Sequence, residues 1–176
     1  LAKISADQRR SANRTPGAVF EHVPITIDDV LASKVVADPI HVLEIVMPCN
    51  GGSAVVLTSA DRARSCPHRP AFVTGFGERL AYKTHSYATD MIRTPIAHAA
   101  EQAFSMAGVA RSDVDACQLY DCYTITVLLT IEDAGFCGKG EGLAFVNGHD
   151  LSYAGDFPVN TNGGSWAMAS PVPPAD

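Results

Sequence analysis

DACQLYDCYTITVLLTIEDAGFCGKGEG, residues Asp115–Gly142, changes its period partway along. Ala116–Tyr120 is a short, mostly apolar run of the length of a buried strand. Asp121-Cys122-Tyr123-Thr124 then gathers polar and titratable groups where that strand ends. From Ile125 onward Val127, Leu128, Ile131 and Ala134 recur at helical spacing, and Gly135 suits the stop. A strand that hands reactive groups to the start of a helix, at the carboxyl edge of a sheet, is where open α/β folds place their sites.

Outward from this unit, strands alternate with helices. Ile96, Ala99, Ala100, Ala103, Phe104 and Ala107 form an apolar helical stripe that Gly108 closes. Ahead of it, Ala71–Phe76 reads as a strand and Tyr82–Met91 as a loop. Gly75-Phe76-Gly77 opens like a dinucleotide fingerprint but lacks the third glycine, so the pattern is weak. Cys66–Pro70 reads as a linker. Further upstream, Leu1–Ala12 reads as a polar amphipathic helix that stops near Pro16-Gly17. Thr26 with Asp29 is a capping pair ahead of Val30 and Leu31. Ile40–Met47 and Ser53–Leu57 are expected to form an antiparallel pair across Asn50-Gly51, with Ser59–Arg64 as a helix leading out. Downstream, Glu141–Gly155 reads as loop, and Phe157–Val159 as a short strand before Asn160-Thr161-Asn162-Gly163-Gly164. The alternation predicts an α/β fold with a largely parallel sheet.

Two blocks carry a family resemblance. LYDCYTITVLLTIEDAGFCGKGEG with PVNTNGG (Pro158–Gly164), and PITIDDVLASKVVADPIHVLEIVMPCNGGSAVVLTSADRAR (Pro24–Arg64), resemble the thiolase superfamily. Within it they are most similar to the sterol-carrier-protein-type thiolases and thiolase-like lipid-transfer proteins. The resemblance implies an α/β fold with a mixed sheet and helices on both faces, incomplete here. Residues 1–66 would close a first half, 67–70 link, and 71–164 form most of a second. Residues 165–176 form an aberrant tail, which departs from the family and suggests a shifted reading frame. The start, which is not Met and shows no export leader, reads as cut from something longer.

Composition bounds the rest. With 47% hydrophobic and 18% charged residues, the 176-residue chain can bury a core. A net charge of -6 leaves no basic footprint for nucleic acid. Five cysteines, an odd number with no CxxC pair, fit a reducing cytoplasmic setting. The six histidines lack metal-ligand spacing. No apolar run reaches the roughly 20 residues of a membrane span.

The resemblance implies chemistry on acyl-CoA, with the coenzyme A thioester as substrate and no other cofactor. The expected setting is lipid or sterol metabolism, with acetyl-CoA acetyltransferase-type transfer as the first reading. In the family motif Asn-Glu-Ala-Phe or His-Asp-Cys-Phe the first residue helps to form an oxyanion hole, and Tyr120 matches that position. A phenol can donate to an oxyanion or act as acid or base. A tyrosine there is also what thiolase-like aldolases of steroid side chains carry; they act on β-hydroxyacyl-CoA beside an OB-fold partner. The bland alternative for Tyr120 is a strand-end aromatic whose hydroxyl satisfies a backbone group. Asp121 either orients a neighbour or caps the following helix. Cys122 is either a reactive thiol or inert packing, like Cys117 and Cys137. Asn162, Gly163 and Gly164 match the glycine turn that lines the family's pocket, where a bare backbone approaches the thioester. The resemblance further implies a homodimer. The segments the family uses for its nucleophilic cysteine and pocket histidine are not matched, so these residues alone are expected to lack thiolase turnover. A non-catalytic acyl-CoA-binding or assembly module is the alternative from another class.

Overall fold

The computed structural model describes residues 1–48, 52 and 54–165. Among them are six α-helices and one two-stranded sheet: α1 (Ala2–Ala12), α2 (Ile27–Ala32), β1 (Val35–Ala37), β2 (Ile40–His41), α3 (Ala60–Ala63), α4 (Ile96–Ala107), α5 (Thr124–Asp133) and α6 (Gly142–Gly148). The core lies where α1 packs against α5 and α6. Ile4 of α1 joins Val127, Leu128 and Ile131 of α5, Val146 of α6, and Cys117, Leu151 and Val159.

α5 follows its predicted stripe, with Val127 and Ile131 fully buried and Gly135 at a φ of 85° just beyond its end. α4 also ends as expected, on a left-handed Gly108. Thr26 and Asp29 make the reciprocal capping box that starts α2. α1, expected to be polar and half-exposed, is instead largely buried. Asp7, Arg9 and Ser11 are used against distant backbone, which satisfies them inside, whereas the buried Gln8 carboxamide has no hydrogen-bond partner among the described residues. Asp7 accepts the Leu151 N–H at 3.1 Å and the Lys3 ammonium, and Ser11 Oγ accepts the Tyr153 N–H at 2.9 Å. Arg9 donates to Val23 O at 2.9 Å and lies 3.9 Å over the Phe20 ring.

The expected mixed sheet with helices on both faces is not formed among the described residues. Sheet pairing is confined to β1 with β2, antiparallel, and two isolated bridges, Ile45 with Tyr123 and Cys117 with Val159. The run Ile40–Met47 stops being a strand after His41 because Glu44 folds back, its Oε2 accepting the His41 N–H at 2.7 Å to close a 3₁₀ turn. The hairpin signal Asn50-Gly51 lies outside the described residues, as does the tail 166–176. Residues 54–57 form no strand. Ala71–Phe76 has no ladder partner among the described residues, and Gly75 and Gly77 pack on α4. A Cβ at Gly75 would sit 2.2 Å from Ala103 O, and one at Gly77 1.9 Å from Ala99 O. Those glycines serve helix packing, not a phosphate loop.

The expected loop 141–155 contains α6. Gly142 opens it by donating its N–H to Glu132 Oε1 at 2.9 Å, and Val146 enters the core. Lys139 bridges Glu132 (3.1 Å) and Asp133 (2.9 Å), and Asp133 also accepts the Thr94 N–H at 2.7 Å. One acid pair therefore ties the end of α5 to the starts of α4 and α6. Burial alone would raise the Glu132 carboxyl, but the Gly142 N–H and the Lys139 ammonium outweigh it and hold it below the ordinary value. A carboxyl lowered on folding stabilises above its unfolded value, about 4.3, and that contribution is lost as pH falls through the folded value. Thermal melts taken from about pH 6 down to about pH 3 should therefore show a steeper acid loss for the native chain than for Glu132→Gln. Parallel acid limbs would contradict this account.

Candidate functional site

The site is built where the strand-like segment 117–121 meets the glycine turn. Cys117 and Val159 form a parallel bridge, with Cys117 N–H on Pro158 O at 2.9 Å and Asn160 N–H on Cys117 O at 2.8 Å. The backbone pairing then ends, and the Asn160 side chain continues it. Its Oδ1 accepts the Leu119 N–H at 2.7 Å while its Nδ2 donates to Leu119 O at 3.0 Å. The carboxamide acts as an extra peptide group beside Leu119. Asn160 holds a φ of 50°, the one non-glycine residue at positive φ among the described residues.

Asp121 completes this junction. It is 1% exposed, and its carboxylate accepts Asn160 Nδ2 at 3.0 Å and the Ser165 N–H at 3.0 and 3.2 Å. It does not cap α5, whose N-cap position is Tyr123 with no side-chain cap bond. The turn is tightly closed around it: Gly163 donates to Asn160 O at 2.7 Å and Gly164 to Asn162 Oδ1 at 3.1 Å. The N–H groups of Gly163, Gly164 and Ser165 are thus all engaged by protein acceptors. The glycine turn contributes close backbone approach here, and its N–H groups face inward. A cavity of about 280 Å³ opens against the junction, lined by Gln118, Leu119, Asp121, Asn160, Asn162, Gly164 and Ser165.

Tyr120 stands apart from that carboxylate. Alternation along the extended segment sends Asp121 into the junction, while Tyr120 is 71% exposed and pairs with Cys122, two residues on. The structure therefore brings Asp121 together with Asn162, Gly163 and Gly164, and groups Tyr120 with Cys122. A hydrogen bond from the phenol to Cys122 is the main cause that pushes Tyr120 above its ordinary value, with the Cys122 charge next and Asp121 adding a smaller push. Cys122 Sγ also lies 3.4 Å from Thr126 Oγ1 on the first turn of α5. Burial raises Cys117 to about 11 and Cys137 as well, the reverse of what activates a thiol.

The backbone of this tetrapeptide is fixed from the other side too. Val46 donates to Cys122 O at 3.0 Å beside the Ile45–Tyr123 bridge. Buried Glu44 accepts from Thr124 Oγ1 at 3.3 Å. Asn160, Ser165 and Gln118 were not singled out from the sequence. The signal for Asn160 was available in its place before Thr-Asn-Gly-Gly, since Asn tolerates positive φ and bonds nearby backbone. Among the described residues no group of three His, Cys, Asp or Glu side chains could hold a metal ion, and no helix is long and apolar enough to cross a membrane.

Comparison with known proteins agrees with the sequence blocks. Residues 77–175 match the family described as Thiolase C-terminal domain-like. A steroid side-chain-cleaving aldolase of Thermomonospora curvata is 33% identical over 174 residues, covering 96% of this chain and 44% of the relative. An acetyl-CoA acetyltransferase of Methanothermobacter thermautotrophicus is 34% identical, covering 98% and 45%. The solved Ltp2-ChsH2(DUF35) aldolase superposes with a TM-score of 0.89 at 32% identity, covering 96% of this chain and 45% of that one. The chain spans less than half the length of these relatives.

Gly164 is the position where this geometry is least forgiving. A Cβ there would sit 1.9 Å from Asp121 Oδ2, and its φ of 73° disfavours any side chain. Gly164→Ala should cost at least about 2 kcal/mol in urea unfolding; an unchanged midpoint would contradict the closed junction.

Proposed function

This chain belongs to the thiolase C-terminal domain-like family, and we propose that the protein cleaves a carbon–carbon bond in a β-hydroxyacyl-CoA by a retro-aldol reaction. The observation that carries this reading is Tyr120: an exposed phenol at the position that matches the family's oxyanion residue. As the β-hydroxyl proton leaves to a base, the Cα–Cβ pair moves onto the thioester and a carbonyl product departs. Tyr120 donates to the thioester oxygen that gains charge, and the enolate then takes a proton at Cα. A donor placed for developing charge is worth several kcal/mol in a site of this kind, on the order of 10²–10³ in rate.

The aldolase of Thermomonospora curvata and the Ltp2-ChsH2(DUF35) structure support this reaction class. The latter, named as an Ltp2-ChsH2 pair, also supports a partner protein, for which an OB-fold type is our proposal. The cavity of about 280 Å³ lies on the Asp121 side of the segment and is small for a whole acyl-CoA, so it would take only a part of the substrate away from the thioester. Asn162 and Gly164 line it and would contact that part, while Cys122 stands beside the phenol and forms no covalent bond. Coenzyme A enters as part of the substrate. Assembly as a homodimer and a cytoplasmic setting complete the proposal.

A second reading, acyl transfer between acyl-CoA thioesters, is favoured by the acetyl-CoA acetyltransferase relative. One assay separates the two. The protein is incubated with a β-hydroxyacyl-CoA and, separately, with acetoacetyl-CoA plus CoA. The proposal predicts carbonyl release in the first and none of the acetyl-CoA of thiolysis in the second. Tyr120→Phe should lower kcat by about 10²-fold or more with KM little changed. Thiolysis by the native protein, or carbonyl release that survives Tyr120→Phe, would contradict the proposal.

A further inference from the structure

We infer that Asp121 is a positioning residue that holds Tyr120 at the site from the opposite side of the chain, acting through Asn160 and Ser165 and not on substrate. The inference rests on the reading of Tyr120 as the reacting phenol.

The geometry around Tyr120 is asymmetric. Its own side chain is exposed, yet backbone groups before and after it are bonded. Leu119 is bonded at both N–H and C=O by the Asn160 carboxamide (2.7 and 3.0 Å), and Cys122 O accepts the Val46 N–H at 3.0 Å. Between them Asp121 is anchored by its buried carboxylate, which holds Asn160 Nδ2 and the Ser165 N–H together. The same carboxylate orients the Asn160 carboxamide, because Nδ2 divides its two protons between Leu119 O and Asp121 Oδ2, each at 3.0 Å. Losing it frees Asn160 to rotate, and Leu119 then loses both of its partners. The strand end would stay folded, since its upstream bridge at Cys117 and its core contacts do not involve Asp121. What loosens is the single residue whose placement matters for the chemistry. A reacting group must be held to within about half an ångström, and an exposed side chain gains that precision only from its backbone.

Asp121 also lies close enough to Tyr120 to act on it by charge, so a test must separate charge from geometry. Asp121→Asn removes the charge and one acceptor. Asn160→Gly leaves the carboxylate in place, keeps a residue that accepts the φ of 50°, and removes the carboxamide. The experiment places 3-fluorotyrosine at position 120 in the full chain and reads its ¹⁹F resonance, with the methyl signals of Val127 and Ile131 as the report on the core. The expected result is one narrow line for the native chain, and loss of that line to a broadened or split signal in both variants while the core methyls stay native. In the enzyme assay both variants should then lose kcat while KM holds. A narrow, unsplit line in Asn160→Gly with a native core would overturn the inference. So would loss of the core methyl signals in both variants, because the carboxylate would then serve stability rather than placement. The ¹⁹F readout needs no turnover. A native chain that fails to cleave β-hydroxyacyl-CoA, yet shows the expected line changes, faults the proposed reaction and leaves the positioning role standing.

Discussion

The Asn160 carboxamide stands in for a missing length of β-ladder. Backbone pairing between the segments around Cys117 and Val159 lasts for one bridge, and the next pair of hydrogen bonds comes from a side chain. Each such bond adds only about 0.5–1.5 kcal/mol net, but leaving a buried partner unmade costs about 1–3 kcal/mol. The junction is therefore valued less for the strength of its bonds than for the cost of breaking them. It also explains why the turn that follows is rich in glycine. Gly163 and Gly164 sit at φ values of 104° and 73° because the chain must curl back to bring the Ser165 N–H to the carboxylate.

That arrangement divides the polar tetrapeptide into two working faces. Inward, a carboxylate is fully used in holding backbone together. Outward, a phenol and a thiol are left available to solvent and ligand. An exposed phenol is a hydrogen-bond donor at neutral pH, so the outward face offers a donor. Thiols elsewhere point the same way, Cys117 being driven up by burial in the core. The acyl-CoA chemistry proposed here needs a donor at a developing oxyanion, which is what this face supplies.

Local signals were legible in the sequence and distant ones were not. The α4 stripe with Gly108, the α5 stripe with Gly135 and the Thr26–Asp29 box all rest on contacts within a few residues, and all formed as read. Strands depend on a partner that a period of two does not name. Ala71–Phe76 and residues 54–57 carry the composition of strands yet lack a ladder among the described residues. α1 looked polar because its partners, Leu151 and Tyr153, lie far along the chain. α6 was hidden by its two glycines, one of which is required by the close approach of Glu132. At the site, Tyr120 and the glycine turn were found through family resemblance, and the role of Asp121 was not. Its donors lie about forty residues away, so the sequence favours the nearer option of capping α5.

The central claim is that a side-chain amide fixes the strand end that presents Tyr120. Hydrogen exchange of the Leu119 amide, followed residue by residue in the native chain, tests it most directly. If Asn160 Oδ1 holds that N–H as described, it should exchange as slowly as the buried helix amides of Val127 and Ile131, although its neighbour Tyr120 is exposed. Exchange of Leu119 as fast as the unladdered residues 74–76 would contradict the account.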